Sequence, residues 1–161
     1  ALEHKDSLGT GSVLRYGDVQ RMSAGRGVSH SEFNHSPTEP VHFLQIWIVP
    51  SVQGIAPSYE EKHFDAASKT GRLRLIASPD GRDGSVLIHQ DARCYAAILD
   101  GDDRVEHQVL AGRGAYVHVA RGSVKVGETG LTAGDALKFG ESGTITLSDA
   151  RDAELLLFDL P

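Results

Sequence analysis

The chain has 161 residues, 40% apolar and 24% charged, with a net charge of −6. That is the balance of one globular domain or two small packed lobes, large enough to bury a core without disulfides. Lys and Arg are scattered without a run, so nothing points to a nucleic-acid surface, and a chain this acidic would repel phosphate unless it held a local basic patch. The single Cys94 cannot form an internal disulfide, and no stretch approaches the roughly 18 apolar residues of a membrane span, so a cytoplasmic location is expected.

The apolar runs are short and rich in β-branched residues. In chain order they are VHFLQIWIVP (41–50), RLRLIAS (72–78), SVLIHQDA (85–92), RCYAAIL (93–99), HQVL (107–110), GAYVHVARG (114–122), SVKVG (123–127), TITLS (144–148) and AELLLFDLP (153–161). Several alternate with period two. In AYVHVARG, Tyr116, His118 and Ala120 fall on one face and Val117 and Val119 on the other. The 18 glycines, with Asp and Pro, punctuate these runs, and this pattern predicts an all-β sandwich or barrel. ARGSVKVG reads as strand, tight Arg-Gly turn, strand. Cys94 reads as a buried strand residue. YEEKHFDAASKTG (59–71) reads as a loop, and is the one region with a short helix as the alternative.

LRYGDVQRM (14–22) is echoed by LTAGDALKF (131–139). In each copy a Gly-Asp turn leads into a strand, then a second strand, and each copy closes on a longer apolar strand. Two related β-modules are therefore expected. Where the first copy has GVSHSEFN, the second has SGTITLS, without His, Glu or Asn.

GRGVSHSEFN (25–34) carries the chemistry. His30 and Glu32, two apart on a strand, share a face, and imidazole with carboxylate suits a first-row transition metal. Asn34 continues on that face. A polar strand edge facing water has the same spacing, and two ligands do not complete a site. The remaining histidines, His4, His35, His42, His63, His89, His107 and His118, form no H-x-H pair, and each reads by default as solvated or satisfied in the core. The chain has no G-x-S-x-G elbow, P-loop or C-x-x-C.

GDVQRMSAGRGVSHSEFN, HFLQIWIVP, GIAPSYEEKHFD, SPDGRDGSVLIHQDA and ELLLFDLP together resemble the pirin family of bicupins, in particular the bacterial pirin-like quercetin 2,3-dioxygenases. The resemblance runs from Ala1 to Pro161. It implies double-stranded β-helix (cupin) barrels: residues 1–58 as the remainder of a metal-binding module, 59–71 as a connector, and 72–161 as a second module without ligands. It also implies one divalent metal (Fe, Cu, Ni, Co, Mn or Zn) held by three His and one Glu, with His30 and Glu32 as two of the four. The other two belong to an H-x-H upstream of a Y-V-L-E-G segment, which this sequence does not contain. The N-terminal barrel is thus expected to be incomplete, with an open edge able to pair with a second copy. A fragment of a longer protein is the expected explanation; a separate segment, or a natural variant without the site, are the others.

The function implied is cleavage of a flavonol such as quercetin by O₂ with release of carbon monoxide. Glu32 would be both ligand and base for the flavonol 3-hydroxyl. Phe43 and Trp47 are candidates to line the pocket, with core packing the expected role of Trp47. The alternative is a non-enzymatic, metal- or redox-responsive module that binds another protein.

Overall fold

The computed structural model describes residues 1–161. Apart from one 3₁₀ turn at Arg82–Gly84, the regular structure is all strand: β1 (Leu2–Asp6), β2 (Gly11–Leu14), β3 (Asp18–Ser23), β4 (His30–Asn34), β5 (Ser58–His63), β6 (Arg74–Ser78), β7 (Val86–Leu87), β8 (Arg93–Gly101), β9 (Val105–Val109), β10 (Gly114–Val126), β11 (Thr129–Thr132), β12 (Ala136–Phe139) and β13 (Gly143–Leu160). No helix is long and apolar enough to cross a membrane.

The strands form three sheets: a three-stranded β2-β1-β4, a ribbon β3-β5, and an eight-stranded sheet β11-β10-β13-β8-β6-β7 with β12 joined to β10 and β9 to β13. The large sheet spans the residues expected to form the second module. It closes around Leu99, Val109, Val117, Val119, Val126, Leu147, Leu155 and Leu157, all buried. The alternation read in AYVHVARG is real: Ala115, Val117 and Val119 are buried, while Tyr116, His118 and Ala120 are partly exposed. The run LLLF in β13 does not alternate because both its faces are covered. Leu155 and Leu157 face the barrel interior. Phe158 joins a second cluster with Phe64, Ile76, Val86, Ile88 and Cys94, against which Val19 of β3 and Ile48 pack.

The small sheets are tied to the barrel by more than this apolar contact. Lys62 Nζ on β5 donates to the Ser85 carbonyl at 2.7 Å, and Glu60 Oε2 accepts the Leu87 N–H at 2.9 Å.

Three local expectations differ from the structure. First, residues 59–71 hold no helix and are a loop only in part, because they begin within a strand. Ser58–His63 pairs along its whole length with β3, and the chain then turns where Asp65 Oδ1 accepts the Ser68 N–H at 2.7 Å.

Second, Arg121-Gly122 is a bulge within the long β10, not a hairpin turn. The β10–β13 register shifts between Val119, Arg121 and Ser123. A bulge bends one strand and re-aims it, which is how a single strand serves both arms of a barrel. Gly122 has φ +68, and a Cβ there would lie 2.2 Å from the Asp152 carbonyl. Gly122→Ala should therefore destabilise the barrel by at least about 1–3 kcal/mol from the left-handed backbone alone. Urea unfolding of the variant measures this, and an unchanged midpoint would refute it.

Third, VHFLQIWIVP is not a strand. A strand exists only where a neighbour takes its N–H and C=O groups, and no strand of either small sheet bonds to the backbone of this segment. It is anchored near its end by Ser51 N–H to the His89 carbonyl (2.8 Å) and by Gln90 Nε2 to the Val49 carbonyl (2.8 Å). Trp47 is 88% exposed, so it does not pack in a core, and Phe43 is 47% exposed.

The two Gly-Asp turns of the sequence echo have the same geometry. Arg15 N–H donates to Asp18 Oδ2 at 2.6 Å, while Asp18 N–H returns to the Arg15 carbonyl at 3.0 Å. The second copy repeats both bonds: Thr132 N–H to Asp135 Oδ2 at 2.9 Å, and Asp135 N–H to the Thr132 carbonyl at 2.9 Å. The intervening glycines match as well, Gly17 at φ +92 and Gly134 at φ +93.

Candidate metal centre

Strands β1 and β4 are antiparallel neighbours, with His4 opposite Glu32 and Asp6 opposite His30. Residues directly opposite each other lie side by side on one face, and alternate residues of each strand share that face. His4, Asp6, His30 and Glu32 therefore converge. His4 Nδ1 is 3.5 Å and His30 Nδ1 3.8 Å from Glu32 Oε1. One donor atom from each of His4, His30 and Glu32 falls within 4.8 Å of the others. Two imidazoles and a carboxylate are a donor set that fits a divalent first-row metal.

The cluster is sealed on one side and open on the other. His4 is fully buried, while the His30 side chain is 29% exposed and that of Glu32 14%. Behind His4, Asp6 Oδ2 lies 3.2 Å from Nε2. The other Asp6 oxygen accepts the N–H groups of Leu8 (2.9 Å) and Thr10 (3.0 Å), which fixes the β1–β2 turn. Burial pushes the Asp6 carboxyl up, but hydrogen bonds from Thr10, His4 and Leu8 outweigh it and hold the group below the usual carboxylate range.

Glu32 is held by two amides. Gln20 Nε2 on β3 lies 3.2 Å from Oε1 and Gln45 Nε2 lies 3.4 Å from Oε2. The Gln20 amide also lies 3.3 Å from His4 Nδ1. Tyr59 on β5 stacks against the His4 ring at 5.2 Å. Its hydroxyl donates to Glu61 at 2.6 Å; burial first, then this hydrogen bond, pushes the phenol up to about 12. Tyr59 thus remains a neutral donor across the neutral range. The carboxylate keeps lone pairs beyond those the amides use, free for a cation or a proton.

The other residues singled out from the sequence lie apart from this cluster. Asn34 organises a turn, donating to the Glu39 carbonyl at 2.7 Å and accepting the Ser36 N–H at 3.1 Å. His35 pairs with Glu3 at 3.0 Å and His63 with Asp18 at 2.6 Å, both on the surface. Spacing alone did not single out His4, Asp6, Gln20 or Tyr59. A signal for two of them was available: Leu2, His4 and Asp6 alternate in LEHKD, and Leu2 and His4 are both buried.

The second module has the matching strand pair, β9 against the start of β13. LEHK (2–5) recurs as VEHQ (105–108), each followed by a G-x-G. His107 stands in β9 as His4 stands in β1, but its cross-strand partner is Ile145, and Gly143 faces Val109 where His30 faces Asp6. His107 Nε2 instead reaches Asp159 at 3.0 Å. Among equivalent positions, only the first module assembles two imidazoles and a carboxylate.

Comparisons with known proteins point the same way. The pirin family model matches residues 1–48, and the model of the quercetinase C-terminal cupin domain matches residues 75–160. The chain is 41% identical over 160 residues to quercetin 2,3-dioxygenase of Escherichia coli (strain K12), covering 99% of this chain and 68% of that protein. It is 36% identical over 160 residues to the pirin-like protein of Caulobacter vibrioides, again covering 99% and 68%. Among solved structures, YhhW from Escherichia coli superposes with a TM-score of 0.92 at 41% identity, covering 99% of this chain and 67% of that one. The bacterial pirin YhhW in complex with nickel(II) superposes at 0.90 with 40% identity, covering 99% and 68%. From this likeness, the chain belongs to the pirin family, with a cupin fold.

Proposed function

We propose that the chain carries the metal-binding side of a flavonol 2,3-dioxygenase, with His30 and Glu32 as metal ligands. The observation that carries this reading is the cross-strand convergence of His30 and Glu32 with His4 on the open face of β1 and β4. The names of relatives at 41% identity and the nickel complex of a related pirin support it.

A bound divalent metal would supply a Lewis acid that makes the flavonol 3-hydroxyl more acidic and brings the electron-rich ring together with O₂. The protein's own residues would do the rest. Glu32 accepts the hydroxyl proton on a carboxylate oxygen, with Gln20 on one oxygen and Gln45 on the other holding the carboxylate in place. His30, partly exposed, bounds the substrate side. The buried His4 and the half-buried Tyr59 keep water from the rear of the cluster.

The test is incubation of the chain, loaded in turn with Ni, Co, Mn, Fe, Cu and Zn, with quercetin in air. Loss of the flavonol absorbance with stoichiometric carbon monoxide supports the reading. Bound metal with no turnover above free metal sinks it.

A second reading is favoured by the exposed apolar side chains Phe43, Ile46, Trp47, Val49 and Val52. In that reading the chain is a metal-responsive binding module, and this segment, or the outer edges of β2 and β4, takes a protein partner or a second copy. Metal-dependent association in sedimentation, without flavonol turnover, distinguishes it.

A further inference from the structure

We infer that His4 is a third metal ligand of this centre, binding through Nδ1 while Asp6 holds the opposite ring nitrogen. The inference rests on the reading that His30 and Glu32 hold a metal. It adds a residue that has no part in the three-His, one-Glu set implied by the family resemblance.

The argument begins behind the ring. Asp6 Oδ1 is occupied by the N–H groups of Leu8 and Thr10, so Oδ2 is the oxygen left for His4 Nε2 at 3.2 Å. An ionised carboxylate only accepts, so Nε2 carries a ring hydrogen, and in the neutral ring Nδ1 presents a lone pair. That lone pair faces Glu32 Oε1, itself an acceptor, at 3.5 Å. Two acceptors at this distance, one of them on a fully buried ring, need something positive between them. The Gln20 amide is within 3.3 Å of both, and its partial charge answers only part of that need. A proton on Nδ1 or a metal ion answers the rest, and His30 Nδ1, 3.8 Å from the same oxygen, is a third donor that a metal ion uses and a proton does not.

The geometry agrees. Donor atoms about 2.0–2.2 Å from a common ion lie about 3.0–3.6 Å from one another in tetrahedral or octahedral arrangements. The separations from Glu32 Oε1 are 3.5 Å to His4 and 3.8 Å to His30, and all three donor atoms lie within 4.8 Å of one another, so the side chains draw inward to share an ion. A carboxylate behind the far nitrogen of a ligating imidazole is also the usual means of fixing such a ring.

The second module shows what this arrangement is without its partners. His107 has a carboxylate behind it, Asp159 at 3.0 Å, but Ile145 across the strand. The His–carboxylate pair there is structural. At His4 the same pair is turned toward two further donors. The result is two imidazoles and one carboxylate on a single three-stranded sheet, a set that leaves coordination positions open to a small molecule.

Cobalt(II) titration of the 161-residue chain tests this, read by proton NMR. Each cobalt-bound imidazole gives one strongly shifted, exchangeable ring N–H signal. The wild-type chain should show two, one of them exchanging slowly because His4 Nε2–H is buried against Asp6. His4→Ala should leave one shifted signal and weaken cobalt binding at least about tenfold. Asp6→Asn should keep two signals, speed the exchange of the slow one and weaken binding about 10–100-fold. A single shifted signal in the wild type, no cobalt binding, or a folded His4→Ala that keeps both signals and full affinity would overturn the inference. If His4→Ala fails to fold by circular dichroism, the wild-type signal count decides alone. Two signals with no cleavage of quercetin would keep this inference and remove the dioxygenase reading. Cleavage with one signal would do the reverse.

Discussion

Glu32→Gln in the metal-loaded chain is expected to lower quercetin cleavage by about 10²–10⁴-fold, the usual contribution of a positioned proton acceptor. The substitution keeps the shape of the side chain and its place opposite His4, so the fold of β1 and β4 is not the variable. What it removes is the charge and one acceptor oxygen. The amides of Gln20 and Gln45, at 3.2 and 3.4 Å from the two carboxylate oxygens, would then face one oxygen and one NH₂ group. Donor against donor on one side turns the new amide out of position, so metal affinity falls together with the proton-acceptor function.

The two effects separate by experiment. Metal content by elemental analysis reports the first, and carbon monoxide released per bound metal reports the second. Glu32→Asp shortens the side chain but keeps the charge. It should retain more metal than Glu32→Gln while remaining slow, because the carboxylate no longer reaches the substrate proton. A Glu32→Gln chain that keeps both its metal and its turnover would show that the acceptor lies elsewhere.

The sequence shows the all-β architecture and half of the centre for different physical reasons. Strands are legible where burial on one face imposes alternation, as in AYVHVARG. Turns are legible where chemistry is specific: the Gly-Asp turns at 17–18 and 134–135 have the same bonds because Gly allows the positive φ and Asp caps the N–H three residues back. His30 and Glu32 are legible because a spacing of two on a strand fixes a shared face. His4 is not, because its place opposite Glu32 depends on the register of β1 against β4, and nothing local to LEHKD states that register. VHFLQIWIVP shows the opposite limit. Its composition favours a strand, but a strand is a relation between two segments, and here no second strand takes its backbone groups. The Arg-Gly dipeptide at 121–122 has the composition of a turn, and the continuous pairing of β10 with β13 on either side makes it a bulge.

Asp159→Ala should destabilise the barrel by about 3–5 kcal/mol, the scale for breaking a buried ion pair by removing one partner. Asp159 is 4% exposed near the end of β13. Its carboxylate takes Arg113 Nε on one oxygen and His107 Nε2 on the other, the latter at 3.0 Å, with Arg93 3.8 Å away. Arg113 also donates to Asp91 Oδ2 at 2.9 Å and to the Asp159 carbonyl at 3.2 Å. Burial alone would lower the guanidinium, but the hydrogen bonds to Asp159 and Asp91 hold it above its ordinary value. With Asp159 gone, the side chains of Arg113 and His107, only 12% and 11% exposed, keep their burial and lose their common acceptor. The melting temperature should fall by about 6–20 °C for a chain of this size. Asp159→Asn keeps one acceptor oxygen and should fall less. The network ties β8, β9 and β13 in the second module, while the His4–His30–Glu32 cluster lies on a separate sheet, so cobalt affinity of the folded Asp159→Ala chain should match wild type. Stability within about 1 kcal/mol of wild type would mean that Asp91 alone satisfies Arg113, a smaller loss than the buried-pair scale assumes.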